Sequence, residues 1–204
     1  MKIAAATVFV VAAAVCYSAP RTLTIVVFNY GEVPHSVMAA AAKEARQAFR
    51  VAGVETEWLL CRLNCSLPAR AVRMTILPRP VKNAPLSAGG MAYTVLCSTD
   101  ESCKSSYVFY DRVLGMAERA GSPVAIALGY VMAHETGHLL GLGHSVSGIM
   151  KANFTAHDLW DAAVARLRFP ERDAVELRAG ATRWTGCGAP VTLADDEEPF
   201  VRNE

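Results

Sequence analysis

The sequence lacks the features that would point to nucleic acid or a membrane as a partner. Its 20 lysines and arginines nearly balance 19 aspartates and glutamates, and the formal net charge is only +1. A charge this small gives no long-range attraction to nucleic acid or to an anionic membrane. No basic run interleaves with aromatic residues, and no internal repeat is present. We therefore expect one ordinary domain in these 204 residues, which are enough to bury a core.

The chain begins with an apolar run that is too short to span a membrane comfortably. Residues 3–15 are predominantly apolar, follow a single lysine and precede small residues. This pattern predicts a secretory signal peptide, residues 1–18, cleaved after Ser18, with export to the periplasm or the extracellular space and no later membrane attachment. The alternatives are a retained anchor and a lipoprotein linked at Cys16, for which Val15 is a poor preceding residue.

Cysteine is scarce, with six residues, of which one lies in the predicted signal peptide. In an exported protein the close pairs predict two disulfides, Cys61 with Cys65 and Cys97 with Cys103. Cys187 is then left over, so the connectivity stays open. Neither the CxxxC nor the Cx5C spacing has a second matching half, which argues against a zinc ribbon.

Against this background, the stretch HETGHLLGLGH at residues 134–144 concentrates three of the five histidines in the chain. His134 and His138 are four residues apart and would share one face of a helix, so that both can bind a single ion. Gly141 is the residue type that ends a helix in a left-handed conformation, which allows His144 to return as a third ligand. Three neutral nitrogens with one open position are typical of a catalytic zinc site.

Glu135 follows the first of these histidines directly. A carboxylate there can take a proton from a water at the metal as general base, without itself binding the zinc. The alternative is a helix that carries histidines by coincidence. Chance would produce the full eleven-residue pattern in only about one chain in a hundred thousand of this size and composition.

These eleven residues resemble the HExxHxxGxxH motif of the metzincin zinc metalloproteases, position by position. That clan also has a Met-turn beneath the metal-binding histidines, and Met150 in SGIM is the matching methionine. Ser145 after the third histidine gives GHS, which looks like the matrixin-type members. The specific resemblance covers about residues 122–150. It implies a zinc-dependent endopeptidase with one catalytic zinc ion and a protein or peptide substrate; we expect a monomer.

The chain also departs from the matrixin pattern. Only five residues separate His144 from Met150, which leaves little room for a deep, loop-walled specificity pocket. No tyrosine follows Met150 closely enough to match the extra ligand of astacin-like relatives, and no aspartate-rich loop suggests calcium binding. A strand is expected from about Thr22, so a cysteine-switch propeptide is expected to be absent.

The order of predicted elements fits the fold that the resemblance implies. We expect an α+β, metzincin-like domain over residues 19–180, with a twisted mixed sheet, one packed helix, a long active-site helix and a small, mostly helical C-terminal part. Residues 181–204 are expected to form a partly disordered tail. Alternation and helical spacing predict strands at 21–31, 54–61, 72–78, 91–97 and 106–114, and helices at 36–53, 122–143 (capped by Ser122), 155–169 and 170–180.

The resemblance further implies that an edge strand above the cleft pairs with the substrate in an antiparallel manner. By order along the chain, this strand contains Met91, Ala92, Tyr93 and Thr94, after a glycine pair at residues 89–90 that permits close backbone approach. The alternative is an ordinary buried strand. Two other functions also stay open: a zinc-retaining binding module, which would not need Glu135, and a zinc hydrolase of amides outside proteins.

Overall fold

The computed structural model of the protein describes residues 22–61, 65, 68, 70–82, 90–96 and 104–185. Within them lie five strands and five helices. In chain order these are β1 (Leu23–Asn29), α1 (His35–Val51), β2 (Thr56–Cys61), β3 (Val72–Leu77), β4 (Ala92–Val95), β5 (Ser105–Phe109), α2 (Tyr110–Ala120), α3 (Val124–Leu139), α4 (Ala156–Ala163) and α5 (Glu171–Thr185). The expectation of a mixed α+β domain is confirmed.

The five strands form one mixed sheet in the order β2-β1-β3-β5-β4. The first four strands in this order run parallel to one another, and β4 pairs antiparallel with β5. Helix α1 connects the parallel neighbours β1 and β2, as a crossover between parallel strands requires. The strand predicted at residues 91–97 therefore lies, as β4, at one edge of the sheet that the described residues form, and most of its residues are half-buried.

The core lies between the sheet and two long helices. Alternate residues of the central strands are fully buried, among them Leu23, Ile25 and Val27 of β1 and Met74 of β3. Helices α1 and α3 pack against each other and against the sheet. Most residues of α3 are apolar, and they are spread around the whole helix, so that α3 is buried along almost its entire length. The polar residues His134 and Glu135, near its C-terminal end, are buried with it.

The contact between α1 and α3 depends on a glycine. A Cβ at Gly129 would lie 2.6 Å from the carbonyl oxygen of Ala41 on α1, too close for a real contact. The absence of a side chain therefore sets the distance between the two helix axes, and with it the position of the later turns of α3 relative to the sheet.

We predict that Gly129→Ala lowers the free energy of unfolding by about 1–2 kcal/mol, because a clash with backbone costs up to about 3 kcal/mol while the gain in helix propensity is only about 1 kcal/mol. The matched control is Gly115→Ala on α2, where the new Cβ would meet only the flexible end of Arg119 at 3.2 Å. Urea denaturation measures both variants. Equal stability of the two would contradict this view of the packing.

Two predicted elements need correction. The strand predicted at residues 106–114 ends at Phe109, and helix α2 begins at the next residue. The buried positions change there from alternate residues to helical spacing, at Val113, Met116 and Ala117. The N-cap prediction for Ser122 is also wrong: Pro123 is the N-cap of α3, and the buried Oγ of Ser122 has no hydrogen-bond partner among the described residues.

The C-terminal part is helical, as predicted, but α4 ends at Ala163, six residues before the predicted end of that helix. Thr155 caps α4 through reciprocal hydrogen bonds with Asp158, and α5 follows Pro170. Helix α5 continues to Thr185, five residues beyond the boundary predicted for the tail. Its last turn is anchored by Trp184, which is buried and donates a hydrogen bond from Nε1 to the carbonyl oxygen of Arg70 at 2.8 Å.

Several predictions concern residues outside the described ranges. These are the signal peptide at residues 1–18, Gly89, the Cys97–Cys103 disulfide, Cys187 and the rest of the predicted tail. The predicted disulfide between Cys61 and Cys65 is present. In the part of the chain that is described, no helix is both long enough and apolar enough to cross a bilayer.

Candidate metal centre

The last turns of α3 carry three of the candidate site residues. His134 and Glu135 are buried and His138 is half-buried, which is rare for such polar side chains unless they are paired or bind an ion. The rings of His134 and His138 lie 4.6 Å apart in an edge-to-face arrangement, on one face of the helix as their spacing predicts.

The chain after α3 turns back to add the third histidine. Gly141 has a φ of +102°, a left-handed conformation that favours glycine. Its amide donates to the carbonyl of His138, and the amide of Leu142 donates to that of Gly137, which together form a Schellman motif. The prediction that Gly141 ends the helix is confirmed. His144 then lies with its ring centre 4.8 Å from that of His138.

One candidate ligand atom from each histidine lies within 4.8 Å of the others. His144 is exposed, whereas His134 is buried, so the cluster opens toward solvent on one side. Among the described residues, this is the only group of three or more histidine, cysteine or acidic side chains with such spacing. All three histidines predicted from the sequence are therefore brought together.

Hydrogen bonds fix which ring nitrogen faces inward. Nδ1 of His134 lies 2.7 Å from the carbonyl oxygen of Ile149, and Nδ1 of His138 lies 2.8 Å from that of Leu142. A carbonyl oxygen can only accept, so each Nδ1 must carry the proton and donate it. In a neutral ring, Nε2 then presents a bare lone pair.

Burial keeps these two rings neutral. It is the main cause of the low pKa of His134, which is about 4; the neighbouring histidines act in the same direction and the bond to the Ile149 carbonyl acts in the opposite direction. Burial likewise lowers the pKa of His138. Their two Nε2 atoms are 3.0 Å apart, so two lone pairs converge with no proton between them. This donor set fits zinc, which binds neutral imidazole nitrogen.

Glu135 points from the same helix toward the edge strand. Its Oε2 accepts a hydrogen bond of 2.7 Å from the hydroxyl of Thr94 on β4. Burial raises the pKa of Glu135 to about 7, although the bond from Thr94 acts to lower it. A carboxyl group with such a pKa can both accept and release a proton near neutral pH.

A small cavity connects these groups. It has a volume of about 120 Å³ and is lined by His134, Glu135 and His144, by residues 90–92 beside β4, and by residues 151–154. One wall is the ring of Phe154, which meets that of His134 edge to face at 5.8 Å. The space therefore runs between the histidine cluster and the edge strand.

Met150 lies in a turn against the same helix. The side chain is fully buried, and a Cβ on Gly137 would lie 2.6 Å from its sulfur. The turn is closed by backbone bonds from Ser145 to the Met150 carbonyl and from Lys151 to the Gly148 carbonyl. Met150 thus packs against α3 between the levels of the two histidines that the helix carries.

The hydrogen-bond pattern of β4 identifies which of its amides face outward. The amide of Phe109 donates to the carbonyl of Met91, and the register pairs Tyr93 with Tyr107. Because hydrogen-bonded pairs alternate along an antiparallel ladder, Met91 and Tyr93 point their backbone groups at β5. Ala92 and Thr94 therefore direct their N–H and C=O groups away from β5, to the edge at which no other described strand pairs.

Sequence reasoning did not identify the second role of Thr94, namely the contact of its side chain with Glu135. It also did not identify Ser106, Phe154 or the ion pair between Lys151 and Asp158, whose atoms are 2.6 Å apart beside the cavity. The contacts of Thr94 and Phe154 with α3 join distant parts of the chain and leave no local pattern. His157 is exposed on α4.

Comparison with known proteins agrees with this geometry. Residues 107–168 match the family Metallopep, whose description reads "Putative peptidase family". The match covers β5, α2, α3, all three histidines and Met150, but less than half of the chain. No curated protein matches the chain.

Two solved structures align with most of the chain. A zinc-dependent peptidase from Methanocorpusculum labreanum (strain Z) is 16% identical and aligns over 75% of this chain and 99% of its own, with a TM-score of 0.49. Archaemetzincin from Methanopyrus kandleri is 12% identical over 82% of this chain and 99% of its own, with a TM-score of 0.54. The latter likeness shows a shared fold. Together, the family match, the fold and the three-histidine cluster support a zinc metallopeptidase.

Proposed function

We propose that this protein is a zinc-dependent endopeptidase of the metzincin type. His134, His138 and His144 would hold one zinc ion, which would supply Lewis acidity to acidify a water and to polarise a peptide carbonyl. The observation that carries the proposal is the pair of inward lone pairs on His134 and His138. Each is fixed by a backbone acceptor behind the ring, as is usual for histidines that bind a metal.

Glu135 acts as the general base in this proposal. It follows His134 on the helix, lines the same cavity and has one carboxylate oxygen held by Thr94. It would accept the proton of the attacking water and return it to the leaving amine, as a general base within reach of both groups can do. Met150 would support the histidines from beneath as the Met-turn residue.

The substrate would be an extended peptide that adds to the free edge of β4. The outward amides of Ala92 and Thr94 supply the hydrogen bonds, and the cavity beside them leads to the histidine cluster. Backbone pairing recognises the extended main chain of the peptide and not its side chains. Cleavage should therefore require an extended segment and tolerate many sequences. We further propose that residues 1–18 direct export and that the enzyme acts as a monomer.

We predict that Ala92→Pro raises KM about threefold to tenfold, because proline removes one outward N–H and one hydrogen bond contributes about 0.5–1.5 kcal/mol. The zinc content and the kcat should stay close to the wild-type values. Ala92 is a cleaner probe than Thr94, whose replacement by proline would also remove the contact with Glu135. Kinetics on a peptide substrate measure the effect.

The control for this prediction is Val81→Pro, which changes an exposed residue outside every strand. An unchanged KM in Ala92→Pro, with the fold verified by circular dichroism, would mean that the substrate binds elsewhere. The function as a whole is tested by a peptide-library digest with zinc analysis of the same sample.

A further inference from the structure

A chain of three polar groups connects the edge strand to the active-site helix. The hydroxyl of Thr94 on β4 lies 2.7 Å from Oε2 of Glu135 and 2.7 Å from the hydroxyl of Ser106 on β5. Ser106 is fully buried and Glu135 nearly so. A hydrogen bond to a carboxylate in such surroundings is stronger than one between neutral groups in water.

The direction of these bonds follows from the number of protons. An ionised carboxylate can only accept, so the single hydroxyl proton of Thr94 is donated to Glu135. The hydroxyl of Ser106 must then donate to Thr94. Its other acceptor within reach, the backbone carbonyl of Glu135, is more distant at 3.4 Å. Ser106 therefore holds the Thr94 hydroxyl in the orientation that serves Glu135.

We propose that Thr94 is a positioning residue for Glu135 and that it links substrate docking to the general base; this inference rests on the proposed function. Because Oε2 of Glu135 accepts the hydrogen bond from Thr94, the other carboxylate oxygen of Glu135 accepts the proton of the water. The main chain of the same residue faces the free edge, where the peptide would pair. One residue therefore contacts the substrate backbone on one side and fixes the base on the other.

The test uses two substitutions that differ in the hydroxyl. Thr94→Val keeps the β-branched shape and the backbone amide but removes the donor, and Thr94→Ser keeps the donor. Loss of a hydrogen bond to a charged group should lower kcat by at least about tenfold. KM should stay within about twofold, because the outward amide remains. Thr94→Ser should restore kcat to within about threefold of wild type.

Thr75→Val is the matched control. It makes the same change at a half-buried position of β3, on the face of the sheet opposite to the buried residues Met74 and Ile76. Its kcat and KM should equal those of wild type. A kcat of Thr94→Val equal to wild type, or a failure of Thr94→Ser to restore it, would overturn the positioning role.

A second measurement does not depend on catalysis. In the zinc-free protein, Thr94→Val should shift the urea midpoint of unfolding in the wild-type background, and this shift should be at least halved when Glu135 is already alanine. Equal shifts in both backgrounds would mean that the two side chains are not coupled, which contradicts the inference. An active wild type with uncoupled residues refutes only the inference, whereas an inactive zinc-loaded wild type refutes the proposed function.

Discussion

Replacing Glu135 by glutamine should lower the turnover of peptide substrates by at least about a hundredfold, the scale of a lost general base. Glutamine has almost the same shape and can still accept the hydrogen bond from Thr94, so the fold and the zinc content should not change. What is lost is the capacity to take up a proton. The effect should therefore appear in kcat, with KM nearly unchanged, in steady-state kinetics of a peptide.

The control for this variant is Glu118→Gln, which removes the same charge from an exposed position on α2. It should retain full activity. If Glu135→Gln hydrolysed peptides as fast as wild type, Glu135 would not be the base. If neither protein cleaved any peptide while both bound a partner equally well, the zinc-retaining binding module would be the better interpretation.

Replacing His134 or His138 by alanine should remove most of the bound zinc. We expect the affinity to fall by more than about a hundredfold, since losing only a hydrogen-bond partner of a ligand already costs about 10–100-fold. His144→Ala should cost less, because this histidine lies on an exposed turn rather than in the helix. Metal analysis after dialysis against a weak chelator measures all three variants.

His157→Ala provides the comparison, because His157 is exposed on α4 and its ring stacks on Trp160 at 5.9 Å, away from the cluster. It should bind about one zinc per chain, as we expect of the wild type. Full zinc occupancy in a protein that lacks both His134 and His138 would refute the metal site.

The metal cluster could be predicted because its determinants are local. A spacing of four positions places both histidines of α3 on one helical face, and a glycine three residues later ends the helix, whatever the rest of the fold does. The prediction that β4 lies at an edge was based on the family resemblance, because the composition of the strand does not indicate its position in the sheet. The cap of α4 was predictable because Thr155 has a reciprocal partner, Asp158, three residues later.

Other features depend on contacts that no local pattern reveals. Ser122 has alanine three residues later, so it lacks the reciprocal partner that Thr155 has. The start of α2 was missed because Tyr110, the first residue of the helix, follows Phe109 and continues the aromatic pattern of the strand. The bond between Thr94 and Glu135 joins residues 41 positions apart and requires the pairing of β4 with β5.

The most direct test of the central claim is a digest of a mixed peptide library by the purified wild-type protein, with the zinc content measured on the same sample. The proposal predicts about one zinc per chain and cleavage at internal peptide bonds, with both reduced in His134→Ala and only the cleavage reduced in Glu135→Gln. A sample with full zinc occupancy that cleaves no peptide, or one that cleaves equally well without Glu135, would contradict it.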